Sequence, residues 1–184
     1  MANIQKVIGL MSGTSLDGVD AALLETDGEG VAVPGPALMA PYDSDTRAML
    51  RAALEEAQNV AAGAPIPFAI RDAEQRVTEA HGEAVKALLA KAALAARDVS
   101  LIGFHGQTIL HRPEQRWTWQ IGDGALLAKL TGIDVVNDFR SADVKAGGQG
   151  APLGPLYHAV LARHAKKIKL VPPLVFVNIG GVAN

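Results

Sequence analysis

The run Ser12-Gly13-Thr14-Ser15-Leu16-Asp17-Gly18 stands between two apolar segments, Val7–Met11 and Val19–Leu24. Small hydroxyl residues and glycines in a tight turn leave backbone N–H groups bare, the arrangement that receives a phosphate. A carboxylate in such a turn repels phosphate unless it acts through a cation or a polarised water. Asp17 therefore points to a metal-bound nucleotide phosphate rather than to simple anion binding. A plain hairpin turn built on Asp17-Gly18 needs none of Ser12, Gly13, Thr14 or Ser15.

Two familiar phosphate loops do not fit. Gly13 and Gly18 have the glycine spacing of a P-loop, but Val19 stands where its lysine belongs and a strand follows instead of a helix. Gly148, Gly150 and Gly154 are spaced one residue too long for a dinucleotide fingerprint, and no strand leads directly into them.

Three further polar clusters follow apolar segments or lie in the loops after them: His105-Gly106-Gln107-Thr108, Asn137-Asp138-Phe139-Arg140 and Gly147-Gly148-Gln149-Gly150. In α/β folds the strand exits converge on the ligand crevice, so several polar exits together mark a site. Asp138, directly after an apolar strand, is expected at a rigid, partly desolvated edge suited to base catalysis, with Asp143 and Asp17 as the other carboxylates. Arg140 suits a phosphate or a substrate carboxylate, or else an ion pair with Asp138 that caps the loop. Asp20, on the outgoing strand, also reads as a solvent-facing residue, and His105 fits a satisfied core histidine as well as a ligand contact. His111 lies six residues beyond His105, off any shared helix face, which argues against a histidine metal site.

The elements that must carry these groups are legible from periodicity. Residues 6–11 and 18–25 read as an antiparallel pair, and Val31–Val33 and Ala37–Ala40 as short extended pieces completing a β-meander. Asp43-Ser44-Asp45-Thr46 offers caps for a helix to about Gln58. A long helix over 67–96 is expected from Ile70, Ala73, Val77, Ala80, Ala84 and Leu88, ending at Arg97-Asp98. Leu101–Phe104, Trp117–Ile121 and Asp134–Val136 read as short strands, and Asp123–Leu130 as a helix closed by Gly132. The Gly-rich loop 146–152 precedes a helix over 153–165, whose C-terminal dipole Lys166, Lys167 and Lys169 suit. Leu174–Ile179 reads as a new strand after Pro172-Pro173, running into Gly180-Gly181, so a second domain is expected to begin near residue 174.

Composition bounds the function. Of 184 residues, 49% are hydrophobic and 20% charged, ordinary for a globular chain, while aromatics are only 4%, so the core is aliphatic. A net charge of -2 provides no footprint for nucleic acid or an anionic membrane surface. The chain has no cysteine, which excludes disulfides, thiolate nucleophiles and cysteine zinc sites. No signal peptide or apolar run of membrane-spanning length stands out, so a cytoplasmic protein is expected.

Met11–Asp20, Gly103–Thr108, Gln120–Asp123, Asn137–Arg140 and Ala146–Leu153, together and in order, resemble the bacterial anhydro-N-acetylmuramic acid kinases across essentially the whole chain. The resemblance implies an α/β fold: an actin-like ATPase (ribonuclease H-like) domain over 1–171, with a mixed sheet and an N-terminal β-meander. Residues 174–184 would open a second ATPase domain that is largely missing, since Asn178–Asn184 resembles its start. It implies an ATP-dependent kinase that converts 1,6-anhydro-N-acetylmuramic acid and water to N-acetylmuramic acid 6-phosphate in peptidoglycan recycling. In that setting Asp138 is the base, and Gly13, Thr14, Ser15, Leu16, Asp17, Gly18, Val19 and Asp20 cradle ATP, with Asp17 towards Mg²⁺. His105, Gln107, Thr108, Arg140 and Gln149 are the implied sugar contacts. The implied partners are the amino sugar and ATP, not nucleic acid or membrane, and homodimerisation is left open. A non-catalytic actin-like nucleotide-binding module and an inactive piece of the kinase are the competing readings.

Overall fold

The computed structural model describes residues 3–165, 171 and 173–177. Its centre is a six-stranded mixed sheet. Strand β1 (Gln5–Ser12) pairs antiparallel with β2 (Gly18–Thr26), and β2 pairs antiparallel with β3 (Ala32–Pro41), forming the expected meander. On its other side β1 runs parallel to β4 (Leu101–Arg112). The first half of β4 pairs parallel with β6 (Val135–Asn137), and its second half pairs antiparallel with β5 (Trp117–Ile121).

Alternation decides which face of the sheet is buried. Ile8, Leu10, Val19, Ala21, Leu23, Ile102 and Phe104 point to one side and are buried there. Helices α1 (Ser44–Ala57), α2 (Phe68–Ala92) and α3 (Gly124–Thr131) accompany that core, with α2 packed against α1, α3 and the sheet. Residues at three-four spacing along α2, including Ile70, Ala73, Val77, Ala84 and Leu88, supply its buried stripe. Asp43 and Asp123 start α1 and α3 by accepting the backbone N–H of Thr46 (2.7 Å) and Leu126 (2.9 Å). The opposite face, with Gly9, Met11, Asp20 and Ala22, is more open, and Tyr157 of α5 (Gly154–Ala165) reaches it.

Several boundaries differ from expectation, each for a physical reason. β3 is one strand rather than two pieces, because Pro34 and Pro36 sit on a sheet edge, where a missing N–H is tolerated, and the register shifts beside them. α2 stops at Ala92, short of residue 96, because Ala93 takes the left-handed conformation and Leu94 N–H returns to Leu89 O. A short helix α4 (Ser141–Ala146), not anticipated, precedes the Gly-rich loop. Leu174–Val177 is in neither helix nor strand; the rest of that expected strand, the Gly180-Gly181 run and Lys166, Lys167 and Lys169 lie outside the described residues.

The largest difference concerns β4. His105–Thr108 is not a strand exit but the middle of a twelve-residue strand. Gly106 adopts a φ of 70°, and the register against β1 shifts between Leu10 and Ser12, so the polar cluster is a bulge within the sheet.

One buried polar ring stands out in the core. His81 is fully buried on α2, its Nδ1 donating to Val77 O at 2.7 Å and its ring edge-on to Phe104, centroids 4.8 Å apart. Burial, with a smaller push from nearby His105, pulls its pKa down to about 4 from the usual 6.5. The folded chain therefore holds His81 neutral, while the unfolded chain takes up a proton below pH 6.5. Stability is full above that pH and falls as pH drops towards 4, by about 3 kcal/mol for this group. Urea unfolding midpoints between pH 7 and pH 4 should show this decline, and His81→Gln should flatten it; an equally steep decline in the variant would refute the assignment. A second expected outcome concerns Gly18, where a Cβ would stand 2.2 Å from Ala40 O. Gly18→Ala should cost about 2 kcal/mol or more by prising β2 from β3, read as a lower thermal midpoint.

Candidate active site

The loop between β1 and β2 is held from beneath. Ser12 is buried; its hydroxyl donates to the side-chain oxygen of Gln107 and accepts the Tyr42 O–H at 2.9 Å. Burial pushes the Tyr42 phenol up to about 12, which keeps it a donor at neutral pH. Tyr42 N–H also donates to Asp17 O at 3.0 Å, and Leu16 N–H closes a turn onto Gly13 O at 3.1 Å. Leu16 takes a φ of 58° and is only 5% exposed, so it anchors the turn in the core.

Anchoring from below leaves the upper surface free. Thr14, Ser15 and Asp17 are exposed, and no acceptor among the described residues takes their backbone N–H groups. Gly13 is half-buried, while Gly18 and Val19 are buried and Asp20 is exposed on β2. Of the eight residues implied for ATP, Leu16 and Val19 thus have side chains committed to the core and offer only backbone. Thr14, Ser15 and Asp17 have both backbone and side chain available.

The second half of the site forms where β5 and β6 part on either side of the Gly106 bulge. A cavity of about 240 Å³ opens there, lined by His105, Gly106, Gln120, Asn137, Asp138 and Ser141 among others. His105 Nε2 accepts from Arg140 Nε at 2.8 Å while its Nδ1 meets Gly106 O at 2.8 Å. That pair of bonds requires the neutral ring protonated on Nδ1. Burial lowers the His105 pKa, and the Arg140 charge lowers it further, in keeping with that tautomer. Arg140 continues to Gly150 O through Nη1 at 2.9 Å, and the alternative of an Asp138–Arg140 ion pair capping the loop is not what forms.

Asp138 lies at the rim, in the left-handed region at a φ of 56°, with one carboxylate oxygen accepting Ser141 N–H at 3.2 Å. It is exposed, not partly desolvated as its position after an apolar strand suggested, because β6 ends there at the sheet edge. Gln107 faces the core and supports Ser12 instead of lining the cavity. Thr108 is half-buried and accepts from Gln120 Nε2 at 3.1 Å, and Gln149 is exposed in the Gly-rich loop outside the cavity lining. Asn137, Ser141 and the supporting Tyr42 were not anticipated. Asn137 lies within a polar cluster the sequence displays, whereas Tyr42 carries no local signal.

Register brings the two halves together. Leu10, Phe104 and Asn137 form one row across β1, β4 and β6. The Gly13–Asp17 turn and Asp138 therefore leave the sheet at the same edge, two strand spacings or roughly 10 Å apart. That edge holds the C-terminal ends of parallel strands β1 and β6, where open α/β sheets place their ligands. Among the described residues no three His, Asp or Glu side chains converge on a metal position. No helix there is long and apolar enough to cross a membrane.

Comparison with known proteins identifies the family. The sequence model for anhydro-N-acetylmuramic acid kinase matches residues 5–184. An anhydro-N-acetylmuramic acid kinase of Azorhizobium caulinodans is 52% identical over 179 residues, 97% of this chain and 47% of that protein. Relatives of the same name from Methylobacterium nodulans (51% identical, 97% of this chain, 50% of the relative) and Agrobacterium fabrum (48%, 100%, 49%) match similarly. The chain spans about half the length of these curated relatives. Its mixed α/β sheet and its sequence agree: the chain belongs to the anhydro-N-acetylmuramic acid kinase family.

Proposed function

We propose that the chain supplies the sugar site and the first phosphate loop of an ATP-dependent kinase acting on 1,6-anhydro-N-acetylmuramic acid. The observation that carries this is the shared sheet edge: an unsatisfied N–H loop and a cavity with an exposed carboxylate stand side by side across β1, β4 and β6. In this reading residues 1–171 make up the first ATPase domain, and the segment from 174 opens a second that closes over the nucleotide. Use of ATP fits a cytoplasmic reaction, and the anhydro sugar fits peptidoglycan recycling.

Asp138 takes a proton from water as its oxygen bonds to the anomeric carbon; the C1–O6 bond breaks, and O6 attacks the γ-phosphorus, releasing ADP. Its exposure at the rim leaves the carboxylate open to the water it must deprotonate. His105, held neutral, lines the sugar cavity and is braced by Arg140, with Thr108 and Gln149 as further sugar contacts and Gln107 acting from beneath. The free N–H groups and hydroxyls of Thr14 and Ser15 receive ATP phosphates, with Gly13 allowing close approach. A Mg²⁺ ion arriving with the nucleotide keeps several waters and needs few protein carboxylates, so the single exposed Asp17 fits its role. Bound there, Mg²⁺ would neutralise phosphate charge.

In a chain carrying both halves, Asp138→Asn should lower kcat by about a thousandfold with sugar affinity nearly unchanged. A coupled ADP-release assay with the anhydro sugar checks this, and retained turnover would move the base to another group. The 184-residue chain alone should form no sugar 6-phosphate.

A further inference from the structure

We infer that Asp143 is a positioning residue which, with Arg140, grips Gly150 from both sides and so holds the Gly-rich loop, with Gln149, beside the sugar cavity. The inference rests on the sugar site proposed above. Gly150 N–H donates to Asp143 Oδ2 at 2.7 Å, and Gly150 O accepts from Arg140 Nη1 at 2.9 Å. Gly148 N–H donates to Asp143 O at 2.8 Å, and Gly147 ends α4 with a φ of 99° and an N–H bond to Val144 O at 3.0 Å. Three glycines around Gln149, two before it and one after, thus have backbone groups held by hydrogen bonds, while Gln149 itself is exposed without a side-chain partner among the described residues.

Packing permits nothing larger. A Cβ on Gly148 would stand 2.2 Å from Asp143 Oδ2, and one on Gly150, at a φ of 79°, would stand 3.0 Å from Val144 Cγ2 and 3.1 Å from His111 Cε1. The carboxylate lies directly against the Gly148 backbone. Asp143 thus has its acceptor oxygen committed to a peptide N–H and does not line the cavity, which separates it from Asp138. Arg140 is in turn oriented by His105, so the grip links the β4 bulge to the Gly-rich loop. A loop ordered before the ligand arrives spares the entropy of ordering it during binding.

The test is amide hydrogen exchange on the whole 184-residue chain, combined with titration of 1,6-anhydro-N-acetylmuramic acid. In Asp143→Leu, Gly150 N–H exchange should rise about a hundredfold while Ile102, central in the sheet, exchanges as in the wild type. Asp143→Asn, whose amide oxygen can still accept, should restore slow exchange, and Arg140→Gln should loosen the same peptide from its other side. The sugar Kd should rise about tenfold in Asp143→Leu and recover in Asp143→Asn. Unchanged Gly150 exchange in Asp143→Leu, or faster exchange with unchanged affinity, would overturn the inference. Should Asp143→Leu unfold, seen as lost Ile102 protection, faster Gly150 exchange in Arg140→Gln supports the grip and unchanged exchange refutes it. A wild-type chain that binds no sugar, yet shows Asp143-dependent Gly150 exchange, would overturn the sugar-site reading and leave the grip standing.

Discussion

The site depends on one backbone irregularity, the bulge at Gly106 in β4. A side chain there would collide with Ile121 O, 2.5 Å from where a Cβ would sit, and the φ of 70° suits glycine. β4 is paired by β6 before this point and by β5 after it. Along β4, pairing with β6 ends at Phe104 and pairing with β5 begins at Gln107, so His105 and Gly106 fall in the gap between them. The bulge turns the ladder so that two partners share one edge, and the space between their ends is the cavity.

Two chains of hydrogen bonds then stiffen the edge. One runs from Tyr42 through Ser12 to Gln107 beneath the β1–β2 loop, and the other from His105 through Arg140 to Gly150 beneath the Gly-rich loop. Both begin at the β4 bulge, where Gln107 faces the core and His105 the cavity. Each consumes its polar atoms in bracing bonds, so the groups left over, on Thr14, Ser15, Asp17, Gln149 and the second carboxylate oxygen of Asp138, are those open to a ligand. This division between bracing and binding groups suits preorganisation, because buried polar groups are costly unless paired.

Much of this was legible one residue at a time. The meander, both Asp-capped helices and the buried stripe of α2 follow from patterns that local physics enforces: alternation, capping and three-four spacing. The places where reading failed share a cause. Ala93 as a left-handed cap, the two prolines inside β3 and the bulge at Gly106 each depend on what lies across space rather than along the chain. His81 gave no signal at all, since an imidazole in a helical stripe looks polar until Phe104 and Val77 surround it.

By itself, the order of small, hydroxyl and acidic residues from Ser12 to Asp20, with the later polar clusters, carried the resemblance to the family and marked a candidate phosphate turn and Asp138 as the carboxylate to watch. Residue type and spacing suffice for these because they reflect local chemistry. Only the tertiary structure decided which of those residues are free and which are spent. Gln107 turns to Ser12, Arg140 to His105 and Gly150, and Asp143 to the loop, leaving Asp138 exposed at the rim. Hydrogen-bond partners up to 95 residues apart in sequence make those choices, and no local pattern encodes which partner a side chain will meet.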